Sequence, residues 1–283
     1  MSTVFNFTFV PWFRSVAPYI HMHRGKTFVV GVAGEAIAAG KLPAIVQDLA
    51  LIQSMGVRIV LVHGFRPQVN EQLRAKGHEP RFSDGVRITD AVALDCAEEA
   101  AGQLRYEIEA AFSQGLPNTP MAGAWMRVTG GNFITAKPVG VVDGVDYQFT
   151  GAVRKIVAEE ISADLDQQNV VLISPIGVSP AGEIFNLSME EVAEAVAVAL
   201  QAEKLVFLCD APGVSDARGR LIEAITADEA AQVLKKPKRL TEDLGLYLPR
   251  CVRATRAGVK RAHLVDRDAD GGLLLELFTH EGV

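Results

Sequence analysis

Four glycine-bearing turns follow apolar runs: GVAGEA (31–36), HGFRPQ (63–68), TGGNF (129–133) and SPIGV (174–178). Each is expected to close a strand, and most to open a helix. Such turns gather backbone N–H groups and helix N-termini at one sheet edge, where a carboxylate or phosphate binds. Other chemistry is excluded by spacing. Gly25-Lys26-Thr27 ends like a phosphate-binding loop, but Ile20 stands where its first glycine belongs, and the triplet leads into a strand. There is no GxGxxG, HExxH or GxSxG. His21 and His23 form a lone i, i+2 pair that reads as helix surface, so no metal site is expected.

The elements that position these turns are readable from apolar periodicity. Strands are expected at 26–32, 57–64, 170–173, 205–209 and 262–265. Leu42, Ile45, Val46, Leu49, Ile52 and Met55 recur at helical spacing, with Pro43 in the first turn and Gly56 as the stop. A polar helix runs through Arg74, and one long helix from Thr89 to about Ser113 ends near Gly115. Ser188 with Glu191 and Thr226 with Glu229 have capping-box spacing. Asp143-Gly144 within 132–150 marks a hairpin laid over the sheet. KKPKR (235–239) reads as a solvated loop. The strand–helix–strand rhythm implies a three-layer αβα sandwich with a mainly parallel sheet.

Residues 9–23 stand apart: Phe13, Val16 and Ile20 form a stripe flanked by Trp12 and Tyr19. It packs on its own domain or is exchanged with another subunit. The 283 residues carry a net charge of −6 and 49 % apolar residues, which argues against a nucleic-acid partner. No apolar run is long enough to span a membrane, and the N-terminal stretch lacks the basic region of a signal peptide. Three scattered cysteines, Cys96, Cys209 and Cys251, exclude a disulfide framework and fit a cytoplasmic location.

The order KTFVVGVAGEA, VRIVLVHGFRPQV, GVRITDA, TGGNFITAKP, VLISPIGVSPAGEIFNLS, AEKLVFLCDAPGV and HLVD…LLLELFTHEGV resembles the amino acid kinase fold of the N-acetylglutamate kinases. With FVPWFRSVAPYI in front, it is more similar still to the N-terminal domain of bacterial N-acetylglutamate synthases, over essentially the whole chain. The resemblance implies an amino acid kinase or carbamate kinase-like domain over 24–283, with lobes at about 24–175 and 176–283. It also implies an N-terminal oligomerisation helix over 1–23 and a homo-oligomer, a hexamer by family expectation.

Departures from the family pattern bear on chemistry. The lysine that such kinases carry in the first-strand turn is here Gly31, and Lys26, about 16 Å back along an extended strand, is no substitute. The aspartate that orients the catalytic lysines falls on Glu190, and the second lysine has no counterpart in LGLYLPRCV. Phosphoryl transfer without its cationic clamp loses about a hundredfold or more per contact. The expectation is therefore a kinase fold without kinase activity and no catalytic residue in this chain.

What the resemblance implies instead is an L-arginine effector site lined by Tyr19, Lys204, His263, Glu276 and Gly282. A guanidinium needs a carboxylate, which Glu276 supplies, and Lys204 would pair with the ligand carboxylate. Taken singly, Lys204 reads as a helix-end cation, His263 as a strand-end histidine and Glu276 as a solvent-facing carboxylate. A vestigial acetylglutamate pocket would involve Gly34, Gly64, Arg87 and Asn186, with Phe65 and Arg66 intruding where kinases have glycines. The family's acetyl-CoA chemistry belongs to a C-terminal acetyltransferase domain of the GNAT type, expected outside these residues, and no cofactor is expected in this chain. Arginine-sensing regulation of N-acetylglutamate synthesis, the first step of arginine biosynthesis, follows. An active acetylglutamate kinase and an oligomerisation scaffold are the other readings.

Overall fold

The computed structural model describes residues 3–114, 126–216, 218–235 and 240–279, with side chains from Val10 onward. Helix α1 (Thr3–His23) precedes β1 (Thr27–Val32), a short α2 (Gly34–Ala38), α3 (Leu42–Ser54), β2 (Arg58–His63) and α4 (Arg66–Ala75). A small hairpin, β3 (Phe82–Ser83) and β4 (Val86–Arg87), leads into the long α5 (Ala91–Ser113). Next come β5 (Val128–Thr129), β6 (Ile134–Pro138), β7 (Val141–Val142), β8 (Val145–Asp146) and β9 (Gly151–Ile156). Then follow α6 (Ala158–Asp166), β10 (Val170–Ile173), β11 (Ile176–Val178), β12 (Ile184–Asn186) and α7 (Met189–Ala199). The chain continues through β13 (Lys204–Cys209), α8 (Ala227–Val233), α9 (Glu242–Arg256), β14 (Arg261–Asp266) and α10 (Gly272–Phe278).

The main sheet has the order β14-β13-β1-β2-β10-β5, with every pairing parallel. Parallel strands need helical crossovers, which cover both faces and bury the strands throughout. Alternation assigns the faces: Phe28, Val30 and Val32 of β1 join Ile59, Leu61, Val206 and Leu208 in the core layer under α3 and α5. Val29 joins Val60, Val62, Leu205, Phe207 and Cys209 in the opposite layer under α6, α7 and α9. A second sheet, β12-β11-β6-β9, lies beside it, so strands from both sides of residue 175 share each of the two larger sheets.

The Asp143-Gly144 turn joins β7 to β8, with both residues at positive φ (49° and 80°), the twist of a tight hairpin turn. The capping box at Thr226 is complete: its hydroxyl accepts from Glu229 N, while the Glu229 carboxylate accepts from Thr226 N. The one expected at Ser188 does not form. Ser188 makes no side-chain cap, and the reciprocal half of the box is missing because the Glu191 carboxylate accepts from Val153 N on β9 at 2.9 Å. Of the four glycine turns, only those after β1 and β2 open helices, α2 and α4. The turns after β5 and β10 continue into the strands of the second sheet, β6 and β11. Of KKPKR, residues 236–239 lie outside the described residues, as do Gly115 and Gly282.

The expected N-terminal stripe divides. Val16 is buried in the core, and Tyr19 and Ile20 pack against it beside α10, while Trp12 and Phe13 are 57 % and 47 % exposed. The near end of α1 thus packs on its own domain, and its far end projects.

Candidate functional site at the amino edge of the sheet

A cavity of about 800 Å³ opens at the amino-terminal edge of the main sheet, where β13 and β14 begin. Tyr19, Met22 and His23 of α1 form one wall, Lys204 and His263 the floor, and Glu276 and Leu277 of α10 another wall. Strand register explains the floor: Lys204 pairs with Arg261, and Val206 with His263, so Lys204 and His263 lie diagonally on adjacent strands and share a face. Of the five residues expected to line an arginine site, the fold brings four to this one cavity. The fifth, Gly282, lies outside the described residues.

Three of the four are wired to each other. Lys204 Nζ is 2.9 Å from His263 Nε2, and His263 Nδ1 is 2.5 Å from Glu276 Oε1. An ammonium only donates, so His263 Nε2 accepts and the ring proton sits on Nδ1, donating to the carboxylate. The imidazole is therefore neutral between a cation and an anion. Burial, with the Lys204 charge beside it, holds the His263 pKa below the ordinary histidine value, against the hydrogen bond it donates to Glu276. Burial also pushes Lys204 down to about 8, with Arg261 adding to the effect and Glu276 and Glu203 opposing it. Lys204 is 6 % exposed and begins a strand, so it is no helix-end cation. Glu276 is not solvent-facing: its side chain is 20 % exposed and turned onto His263. A ligand carrying both a carboxylate and a guanidinium would find its two counter-charges at the ends of this relay.

The carboxyl edge of the same sheet, about 17 Å away at 3.3 Å per residue along β13, holds the glycine turns, which follow β1, β2, β5 and β10. Gly34 and Gly64 face each other there: a Cβ on Gly64 would lie 3.0 Å from Gly34 N, and one on Gly34 2.9 Å from Phe65 Cα. Arg87 and Asn186 are buried and joined through the Thr89–Thr150 pair. Asn186 Nδ2 donates to Thr89 Oγ1 at 3.0 Å, and Thr150 Oγ1 to the Arg87 carbonyl at 2.6 Å. The Arg87 guanidinium donates to Asn70 Oδ1 at 2.6 Å and stacks 4.7 Å from the Phe82 ring, and burial lowers its pKa to about 10.

Gly31 lies under the opposite layer. A Cβ there would meet the Phe207 ring at 2.6 Å and Met189 Sδ at 3.0 Å. Phe207 is itself stacked on Tyr247, with centroids 4.7 Å apart. The space above this strand position is filled by packed rings. Nearby side chains are acidic: Asp243 accepts from Asp210 N and Arg267 Nη1, and burial with the Asp210 charge raises its pKa to about 6. Arg66 crosses to Glu242 at 3.0 Å, joining the start of α4 to the start of α9.

The sequence reading missed His23, which is 2 % exposed and lines the cavity, whereas His21 is on the surface as expected. Extending the stripe Val16–Ile20 by three more residues reaches position 23, and that spacing was the available signal. Among the described residues no group of histidine, cysteine or acidic side chains is arranged to hold a metal ion, and no helix is long and apolar enough to cross a membrane.

This is a three-layer α/β sandwich with a preformed cavity at the amino edge of its sheet and glycine turns at the other. Carbamate kinase from Giardia lamblia has the same fold, with a TM-score of 0.63 at 17 % identity over 88 % of this chain and 95 % of that one. The chain belongs to the amino acid kinase family, whose family model matches residues 26–266. It is 54 % identical to an amino-acid acetyltransferase of Ralstonia nicotianae over 97 % of this chain and 61 % of that protein. It is 48 % identical to that of Azotobacter vinelandii over 97 % and 63 %. It therefore spans about three-fifths of the length of these relatives. N-acetylglutamate synthase from Neisseria gonorrhoeae, solved in complex with coenzyme A and L-arginine, superimposes with a TM-score of 0.90 at 37 % identity, over 97 % of this chain and 64 % of that one.

Proposed function

We propose that this chain is the arginine-sensing regulatory unit of an N-acetylglutamate synthase and does not itself transfer phosphoryl groups. The observation that carries the reading is the Lys204–His263–Glu276 relay on the floor of a large cavity walled by α1. The ligand-free relay is self-satisfied: each charge leans on a neutral imidazole. L-arginine would place its carboxylate on Lys204 and its guanidinium on Glu276, exchanging two charge–neutral contacts for two charge–charge ones. Tyr19 would close over the ligand from α1. Support comes from the similarity to a synthase crystallised with L-arginine.

The case against kinase chemistry rests on the carboxyl edge. Phe207 and Met189 fill the space over Gly31, and acidic Asp210, Asp243 and Glu190 stand around the end of β13 and the starts of α7 and α9. Apart from Asp243, which Arg267 offsets, carboxylates in those places would repel a nucleotide's phosphates. The acetyl-CoA chemistry would belong to a further acetyltransferase domain of the parent protein, which α1-mediated homo-oligomers, hexamers by family pattern, would bring under arginine control. Calorimetric titration of L-arginine into the chain tests the reading. Binding is expected, weakened about a hundredfold in Glu276→Ala, as for loss of one partner of a buried charged pair. Absence of heat with the folded wild type would overturn it.

A further inference from the structure

His23 ends α1 with its ring buried, between exposed His21 and Met22 on one side and exposed Arg24 on the other. Its Nε2 lies 3.0 Å from the carbonyl oxygen of Leu277, so Nε2 carries the proton and donates. Its Nδ1 is buried and has no partner. Phe28 of β1 and Phe278 of α10 meet the ring edge-on, with centroids at 5.1 and 5.5 Å. Leu277 directly follows Glu276. The imidazole is therefore a bolt between the last turn of α1 and the turn of α10 that presents the carboxylate.

Pro11 and Pro18 lie inside α1 and remove two of its backbone donors. Among the described side chains of α1, the buried or half-buried ones are Val16, Tyr19, Ile20 and His23. A helix anchored chiefly through its last two turns would open separately from the sheet, at a cost below global unfolding.

We propose that His23 is the positioning residue of the arginine site: its hydrogen bond to the Leu277 carbonyl seats α1 against the turn bearing Glu276, so filling the cavity and docking the helix are one event. The inference rests on the arginine-sensing reading for its ligand, though the α1–α10 link stands on geometry alone. The groups that face His23 are Lys204 of β13, Glu203 just before it and His263 of β14, with Glu276 of α10 and Tyr19 of its own helix lining the same cavity. Burial first, then the Lys204 charge, keep the His23 pKa below the ordinary 6.5, with the Leu277 bond and Glu203 opposing. A neutral ring is needed in the docked state, so the contribution of this contact is complete above the ordinary histidine pKa and is lost as pH falls below it.

Hydrogen exchange on the whole chain, with and without L-arginine, tests the proposal. His23→Phe keeps a ring and removes the donor, whereas His23→Gln places an amide N–H near the position of Nε2. In His23→Phe the α1 amides should exchange about three- to tenfold faster, with β1 and β13 unchanged, and arginine affinity should fall by a similar factor. His23→Gln should restore both. After correction for intrinsic rates, α1 exchange in the wild type should quicken from pH 7.5 to pH 5.5, and in His23→Gln it should not. Wild-type-like α1 exchange in His23→Phe, an equal loss in His23→Gln, or a pH response shared by wild type and His23→Gln would each overturn the proposal. If wild type gives no heat with L-arginine, the sensing reading falls, and the ligand-free comparison still decides the helix link.

Discussion

Lys204→Met should make the ligand-free protein more stable at neutral pH while abolishing arginine binding. Lys204 is 6 % exposed, and burial moves its pKa from the ordinary 10.5 to about 8. Holding the ammonium there below pH 8 costs about 3 kcal/mol. Methionine matches the stem and carries no charge, so that cost disappears. Against it stands the bond to His263 Nε2, worth about 1.5–3 kcal/mol with a charged donor. The balance is about 0–1.5 kcal/mol in favour of the variant at pH 7. The sign with pH follows from the lowered pKa: the native state holds fewer protons than the unfolded chain, so the wild-type penalty is full below 8 and fades towards 10.5. By pH 9.5 about 1.4 kcal/mol of it remains, and the lost hydrogen bond cancels the gain. Urea unfolding of both proteins at pH 7.0 and 9.5 reads this directly. A variant less stable than wild type at pH 7.0, or an advantage that does not shrink by pH 9.5, would refute the reasoning. Confirmation would show a binding group retained at a cost in stability.

Gly31→Lys should produce no phosphoryl transfer from ATP to N-acetylglutamate and should destabilise the fold by about 1–3 kcal/mol, because the new Cβ meets Phe207 at 2.6 Å; a coupled ATPase assay and thermal melts check both. Thr226→Ala should cost about 1 kcal/mol through its capping box, whereas Ser188→Ala, whose hydroxyl makes no cap and has no partner, should be neutral or slightly stabilising in urea melts. Asp48, raised to about 6 by burial and by Asp270, accepts from the Leu273 backbone, a bond asparagine can keep. Asp48→Asn should therefore raise the melting temperature at pH 7.5 and give no gain at pH 4, since protonation relieves the wild type on the way down.

The main sheet was legible because its strands are buried on both faces and read as apolar runs, so expected and observed boundaries agree closely at β1, β2, β10, β13 and β14. The Thr226 cap was legible because both partners are local. The missing half of the Ser188 box was not, because Glu191 answers a donor on β9, 38 residues away, and no local spacing carries that. At the site, Lys204, His263 and Glu276 had bland readings one at a time, and only the family pattern joined them. Register then does physically what the pattern could only suggest: it sets two adjacent strand starts and one helix around one cavity. His23 escaped because a histidine beside another reads as polar surface, whereas Val16, Ile20 and His23 share a helix face with Phe28 and Phe278 on the other side.

The candidate arginine cavity and the glycine turns sit at opposite ends of the same sheet, with Lys204 opening β13 and Cys209 closing it. The residues between them are a rigid, buried spacer with no polar group in either trade. On the proposed reading, substitutions at the carboxyl end would accumulate without disturbing register at the amino end. The strand thus works as a firebreak: one end can lose its chemistry while the other keeps or acquires a ligand. Grafting an effector site between members of this fold should need only the strand starts, the last turn of the first helix and the turn of the last one.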